Sequence, residues 1–200
     1  MQEKVKKLDF GNFGYQLAGF VARLCGWDIQ GVHPGIEKCV FIACPHRTNW
    51  DLLWMMLVSL RLRLPVYFMM KDTAFWGPLA PLWRYLGGIP VNRKRPMDMV
   101  DNMVEEFKAH DHMFLVIAPS GTRKPVKYLK SGFYRIAWEA QVPICMAYIN
   151  YPGKFTGVGE TLYPTGDYPG DFTRIKKFYS DKVGYEPDFD PNKLPKLTPR

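Results

Sequence analysis

Short apolar runs alternate with segments of helical period along most of this chain, and no other feature constrains its fold more. Residues 38–44 (Lys-Cys-Val-Phe-Ile-Ala-Cys), 66–70, 114–118 and 143–149 read as buried strands, with a shorter extended piece at 88–92. Between them, helices fit 50–60, 97–109 and 131–140. In the second of these, Met99, Val100, Met103, Val104 and Phe107 share one face. Strands that are apolar on both sides need cover on both sides. The pattern therefore predicts an α/β domain, with a mostly buried sheet flanked by helices. A chain of 200 residues has the length of one such domain, and its 47% hydrophobic content excludes a disordered chain. Residues 150–170, rich in Gly, Pro and Tyr, predict an ordered loop. Asp171 is expected to cap a last helix running to residue 180, before a Pro-rich tail.

The first 30 residues differ from the rest. A lysine-rich start leads into 10–27, where Phe13, Leu17, Phe20, Val21 and Leu24 recur at helical spacing. This predicts an N-terminal amphipathic helix, lying either in a membrane interface or on the domain core. No stretch of about 18 uncharged apolar residues exists, so no spanning helix is expected. The formal net charge is +8, and residues 1–95 carry 13 basic against 6 acidic residues. Such a balance suggests an anionic partner: a phosphorylated substrate, an acidic lipid surface or a nucleic acid. The aromatic residues sit mostly in apolar runs rather than between lysines and arginines, which argues against nucleic acid. The organisation expected is a membrane-surface segment over 1–30, the main domain over 31–185 and a tail over 186–200. Cys25, Cys39, Cys44 and Cys145 have no paired spacing and read as reduced thiols of a cytosolic protein.

Three blocks at strand ends could carry chemistry. In the first, His46 follows the strand 38–44 and Asp51 opens the next helix. A turn between them lets the carboxylate fold back onto the imidazole, the arrangement of a general base with its orienting acid. The same residues could equally be a polar loop and a helix start. In the second, Gly87 and Gly88 precede an apolar piece ending in Arg93, Lys94 and Arg95. In the third, Pro119, Ser120, Gly121, Thr122, Arg123 and Lys124 follow a buried strand. Both basic blocks could hold an anion, or simply face solvent. Val142, Pro143 and Ile144 are fully explained as a strand start.

Taken together, in this order and spacing, the blocks resemble the glycerolipid acyltransferase family, of which the 1-acylglycerol-3-phosphate O-acyltransferases are members. The family's His and Asp, with four residues between them, match His46 and Asp51. Its Gly-containing stretch ending in Arg matches residues 88–93. Its Pro-Glu-Gly-Thr-Arg block resembles residues 119–123, and its Val-Pro-Ile matches residues 142–144. One position departs from the pattern, because Ser120 stands where the family usually has Glu. The resemblance implies transfer of an acyl chain from acyl-CoA or acyl carrier protein to a lysophospholipid hydroxyl. His46 would act as base, with Asp51 orienting it. Arg93, Gly121, Thr122 and Arg123 would bind the acceptor's phosphate. It implies no metal or other cofactor, and a peripheral position on the cytoplasmic face of a membrane. Three alternatives remain: Cys44 as an acylated nucleophile served by His46, a non-catalytic lipid- or carrier-binding protein, and an acyltransferase with a phosphate-free acceptor. His110 and His112 beside Asp111 read as a solvated helix end rather than a metal site.

Overall fold

The computed structural model describes residues 11–92 and 96–198. Among these residues seven strands form one sheet: β1 (Asp28–Gln30), β2 (Lys38–Cys44), β3 (Val66–Lys71), β4 (Gly88–Val91), β5 (Met113–Ile117), β6 (Ile144–Asn150) and β7 (Phe155–Leu162). Their spatial order is β1-β7-β6-β2-β5-β3-β4. Strands β6, β2, β5, β3 and β4 are mutually parallel, whereas β7 runs antiparallel to β6 and carries β1 parallel to itself. Among the described residues six α-helices accompany the sheet: α1 (Gly11–Leu24), α2 (Trp50–Leu62), α3 (Leu79–Tyr85), α4 (Pro96–Ala109), α5 (Gly132–Glu139) and α6 (Tyr168–Val183).

Alternation along β2 divides the core in two. Val40, Ile42 and Cys44 point to one face, where Met103 and Phe107 of α4, Phe133 and Ile136 of α5, and Phe172, Ile175 and Tyr179 of α6 pack. Cys39 and Phe41 point to the other, against Val58 of α2 and Phe114 of β5. With both faces covered, the central strands need no polar side, which is why they read as continuous apolar runs. All four cysteines are free thiols, three of them buried.

Helix α1 docks on α2 in an unexpected way. Its buried residues are the small ones, Gly14, Ala18 and Ala22, spaced one turn apart. They let the helix approach closely, and the Arg61 guanidinium lies 3.9 Å over the Tyr15 ring while Arg63 Nη2 donates to Asn12 Oδ1 at 2.6 Å. The large apolar residues face outward: Phe13, Phe20 and Leu24 are 68%, 64% and 76% exposed.

Two expectations for the C-terminal part are corrected. Residues 155–162 lie within the segment expected to be a loop, yet they form β7. At Gly157 a Cβ would sit 2.2 Å from the Gln30 carbonyl oxygen, so glycine is what lets β1 approach. Helix α6 is capped by Asp167, whose carboxylate accepts from Gly170 N at 3.2 Å, not by Asp171. Asp171 is buried inside the first turn and accepts from Tyr134 Oη at 2.6 Å. The tail runs back over α5, where Trp138 Nε1 donates to the Thr198 carbonyl at 2.8 Å.

Candidate active site

The parallel strands deliver their following segments to one edge of the sheet, the edge at which α/β proteins place ligands. From β2 the chain passes a cis Cys44–Pro45 peptide to His46, turns, and enters α2. The turn folds around the Asp51 carboxylate. Oδ2 accepts from His46 Nδ1 at 2.7 Å, from Arg47 N at 2.8 Å and from Thr48 N at 3.1 Å. Oδ1 accepts from Thr48 Oγ1 at 3.0 Å and from Tyr151 Oη at 2.5 Å. Burial alone would raise the Asp51 pKa. The hydrogen bonds from His46, Tyr151 and the Thr48 and Arg47 amides outweigh it and hold the carboxyl well below the usual carboxylate range. An ionised carboxylate can only accept, so the proton between the two side chains belongs to His46 Nδ1. That leaves Nε2 with a free lone pair on a side chain 30% exposed, while Asp51 is at 12%.

The third block follows β5. Gly121 N closes the loop by donating to the Ala118 carbonyl at 2.9 Å, so this amide is already engaged. What Gly121 offers instead is a positive φ of +65° and the absence of a Cβ, which would meet the Lys130 ammonium at 2.8 Å. Ser120 Oγ donates to the Thr122 carbonyl at 2.7 Å, and Lys124 N to Thr122 Oγ1 at 3.3 Å. Arg123 reaches the first block, with Nη1 donating to Asn49 Oδ1. Thus His46, Asp51 and Arg123 come together, with Gly121 and Thr122 in the adjoining exposed loop. Arg93, at the end of the second block, lies outside the described residues.

Tyr151 is the site residue that sequence reasoning missed. It follows β6, 100 positions from the carboxylate it touches, and no local spacing announces it. Its hydroxyl also lies 2.8 Å from Thr48 Oγ1. Its ring meets Trp27 edge-on at 5.3 Å, and Trp27 stacks on Trp54 at 3.9 Å. Behind the pair, a cavity of about 70 Å³ is bounded by His46 and Asp51 and otherwise mainly by apolar groups such as Ala43, Met55, Val116 and Ala147.

Cys44 does not share this site. Its side chain is buried in the cluster beneath α4, α5 and α6, and burial pushes its thiol pKa far up. A thiol held protonated is a poor nucleophile. His110 Nδ1 lies 2.9 Å from the Glu106 carbonyl oxygen at the end of α4. Among the described residues, no three His, Cys, Asp or Glu side chains group to hold a metal ion.

A family model described as acyltransferase matches residues 29–150, which contain all three blocks. Among curated proteins, none matches the sequence. Among solved structures, the chain is similar to the crystal structure of the 1-acyl-sn-glycerophosphate (LPA) acyltransferase PlsC from Thermotoga maritima. The two share 16% identity with a TM-score of 0.59, over 85% of this chain and 78% of that one, a likeness of fold.

Proposed function

The chain belongs to the acyltransferase family, and from that premise we propose that it moves a fatty acyl chain from acyl-CoA or acyl carrier protein to the hydroxyl of a lysophospholipid. 1-Acylglycerol-3-phosphate, the acceptor named for the similar structure, is the first candidate. The observation that carries this reading is the His46–Asp51 pair. Its carboxylate fixes Nδ1–H and leaves Nε2 free to take a proton, beside an apolar cavity suited to part of an alkyl chain. Nε2 takes the proton of the acceptor hydroxyl as its oxygen attacks the thioester carbonyl. The C–S bond breaks, and the departing thiolate takes the proton back from the imidazolium. Asp51 stabilises that imidazolium without being protonated. No acyl-enzyme forms, and the acyl donor is a co-substrate rather than a bound cofactor.

Arg123, bonded to Asn49 in the turn that carries the base, and Lys130, beside Gly121, would supply cations to the acceptor's phosphate, and the resemblance adds Arg93 as a further candidate. Thr122 shapes the loop that holds Arg123. A lysolipid resides in a membrane, and we place the protein at a membrane's cytoplasmic surface, engaged through the outward face of α1. Among the described residues no helix is long and apolar enough to cross a membrane. Exposed Phe13, Phe20 and Leu24 nonetheless offer an apolar stripe, and Trp50 at the start of α2 is 65% exposed.

The deciding experiment is acyl transfer by purified protein and by His46→Ala, over an acceptor panel with and without phosphate and with both donor types. The reading expects product from wild type and a loss of about 10²–10⁴-fold in the variant, with an unchanged melting temperature. Absence of product from every pair in folded protein would leave a lipid- or carrier-binding protein. Sedimentation with phosphatidylglycerol vesicles at low salt tests the membrane assignment. Wild type should bind and Phe13→Ser/Phe20→Ser should not; wild type remaining in the supernatant rejects it.

A further inference from the structure

We propose that Tyr151 is a positioning residue of the active site, pinning the carboxylate oxygen that His46 does not use and so fixing the geometry of the bond from His46 Nδ1 to Asp51. This rests on the reading of His46 as the base. A carboxylate turns easily about its last bond, because the terminal torsion is broad and two-fold. Either oxygen of Asp51 could then meet the imidazole, and the distance between them could drift. Oδ2 is fixed by backbone amides of its own turn, at Arg47 and Thr48. Oδ1 is fixed differently, since its shortest contact comes from Tyr151 at the end of β6. That bond ties the turn to a neighbouring strand of the sheet rather than to itself.

Proton accounting supports a directed role. Tyr151 has one proton and gives it to Oδ1 at 2.5 Å. Thr48 Oγ1 accepts from Trp50 N at 3.1 Å, so its own proton goes to Oδ1 or to the Tyr151 oxygen. Oδ1 is thereby held by Tyr151 in either case, and Oδ2 is the oxygen that meets Nδ1. Burial, together with the Asp51 carboxylate, pushes the phenol up to about 12, so it remains a donor at any working pH. The ring itself is held by Trp27 and, through it, Trp54.

Tyr151→Phe keeps the ring and its contacts and removes only the hydroxyl. The test reads the Nδ1–H proton and ring nitrogens of His46 by ¹⁵N NMR, at the alkaline plateau of a pH series, and kcat and KM alongside. The wild type is expected to show one protonated nitrogen, Nδ1. The variant should keep Nδ1 protonated but show that proton shifted upfield and exchanging faster with water, a kcat about tenfold lower, as expected for one hydrogen bond to a charged group, and an acceptor KM within about twofold. An Nδ1–H proton unchanged in shift and exchange in the variant overturns the proposal whatever happens to kcat, since the His46–Asp51 bond is then held without Tyr151. Should wild type transfer no acyl group to any acceptor, the NMR comparison still decides the role of Tyr151, and the acyltransfer reading falls by itself.

Discussion

Strands β2 and β5 are hydrogen-bonded neighbours, and each ends in a polar segment at the same edge of the sheet, yet the two segments are built on opposite plans. The turn after β2 closes on one carboxylate, which collects five hydrogen bonds from its own turn, from His46 and from Tyr151 just after β6. The loop after β5 bonds chiefly to itself, and residues 121–125 are all exposed. From it Arg123 reaches outward to Asn49. A proton-transfer pair tolerates little misplacement, whereas a grip on phosphate can adjust to its ligand. The difference teaches that the first segment is where substitutions should alter the chemical step, and the second is where they should alter binding.

The largest effect should come from Asp51→Asn. In place of one acceptor-only carbonyl-type oxygen it turns an NH₂ group toward donors already in place, and it removes the charge that steadies the imidazolium. The expectation is a kcat reduced about 10²–10⁴-fold with acceptor KM little changed. Stability should change as well, with a pH signature. The folded carboxyl titrates well below the ordinary range, so on acidification the unfolded chain takes up its proton first. The contribution of Asp51 is then complete above about pH 5 and is lost as the pH falls through about 4 towards the folded-state value. Melting temperatures of wild type and variant, compared by calorimetry from about pH 7 to about pH 3, should therefore converge at the acid end. A gap of constant size would contradict the depressed titration.

Arg123→Ala probes the other segment. It removes an exposed cation and the bond to Asn49, while the loop keeps its internal hydrogen bonds. A phosphate-bearing acceptor should bind about tenfold more weakly, with kcat within about threefold and a stability change below about 0.5 kcal/mol. Steady-state kinetics with acceptors that carry or lack phosphate separate these effects. If kcat instead collapses as in Asp51→Asn, the two segments form one chemical unit and the contrast between them is false.

The same contrast explains what could be read from sequence. The buried parallel strands announce themselves because both of their faces are apolar, and His46 and Asp51 are close enough along the chain to be paired by eye. Strand β7 hides because Gly157 sits where β1 needs room, which dilutes the β-branched pattern. The docking face of α1 hides for a related reason. It consists of Gly14, Ala18 and Ala22, while the residues that catch attention point away from the protein. Tyr151 and the Arg123–Asn49 contact depend on segments 100 and 74 positions apart, so only the folded sheet brings them together.

The smallest and most discriminating change is Ser120→Glu, which places in the loop the residue that the resembled family usually carries. Ser120 is half-buried, and its hydroxyl serves only the local turn through the Thr122 carbonyl. A carboxylate here would sit three and four residues from Arg123 and Lys124, with Lys130 held alongside by the hydrogen bond from its amide to the Pro119 carbonyl at 2.9 Å. It would compete with phosphate for those cations in an exposed, well-screened setting, so the effect should be modest. Affinity for a phosphate-bearing acceptor is expected to fall about threefold at low salt, and the difference should vanish near 1 M salt, where screening acts within about 3 Å. A phosphate-free acceptor should be unaffected. A rise in kcat of tenfold or more, indifferent to salt, would instead assign the carboxylate a part in the chemical step. The loop after β5 would then no longer be a grip alone, and Ser120 would mark this chain as adapted to an acceptor different from that of its relatives.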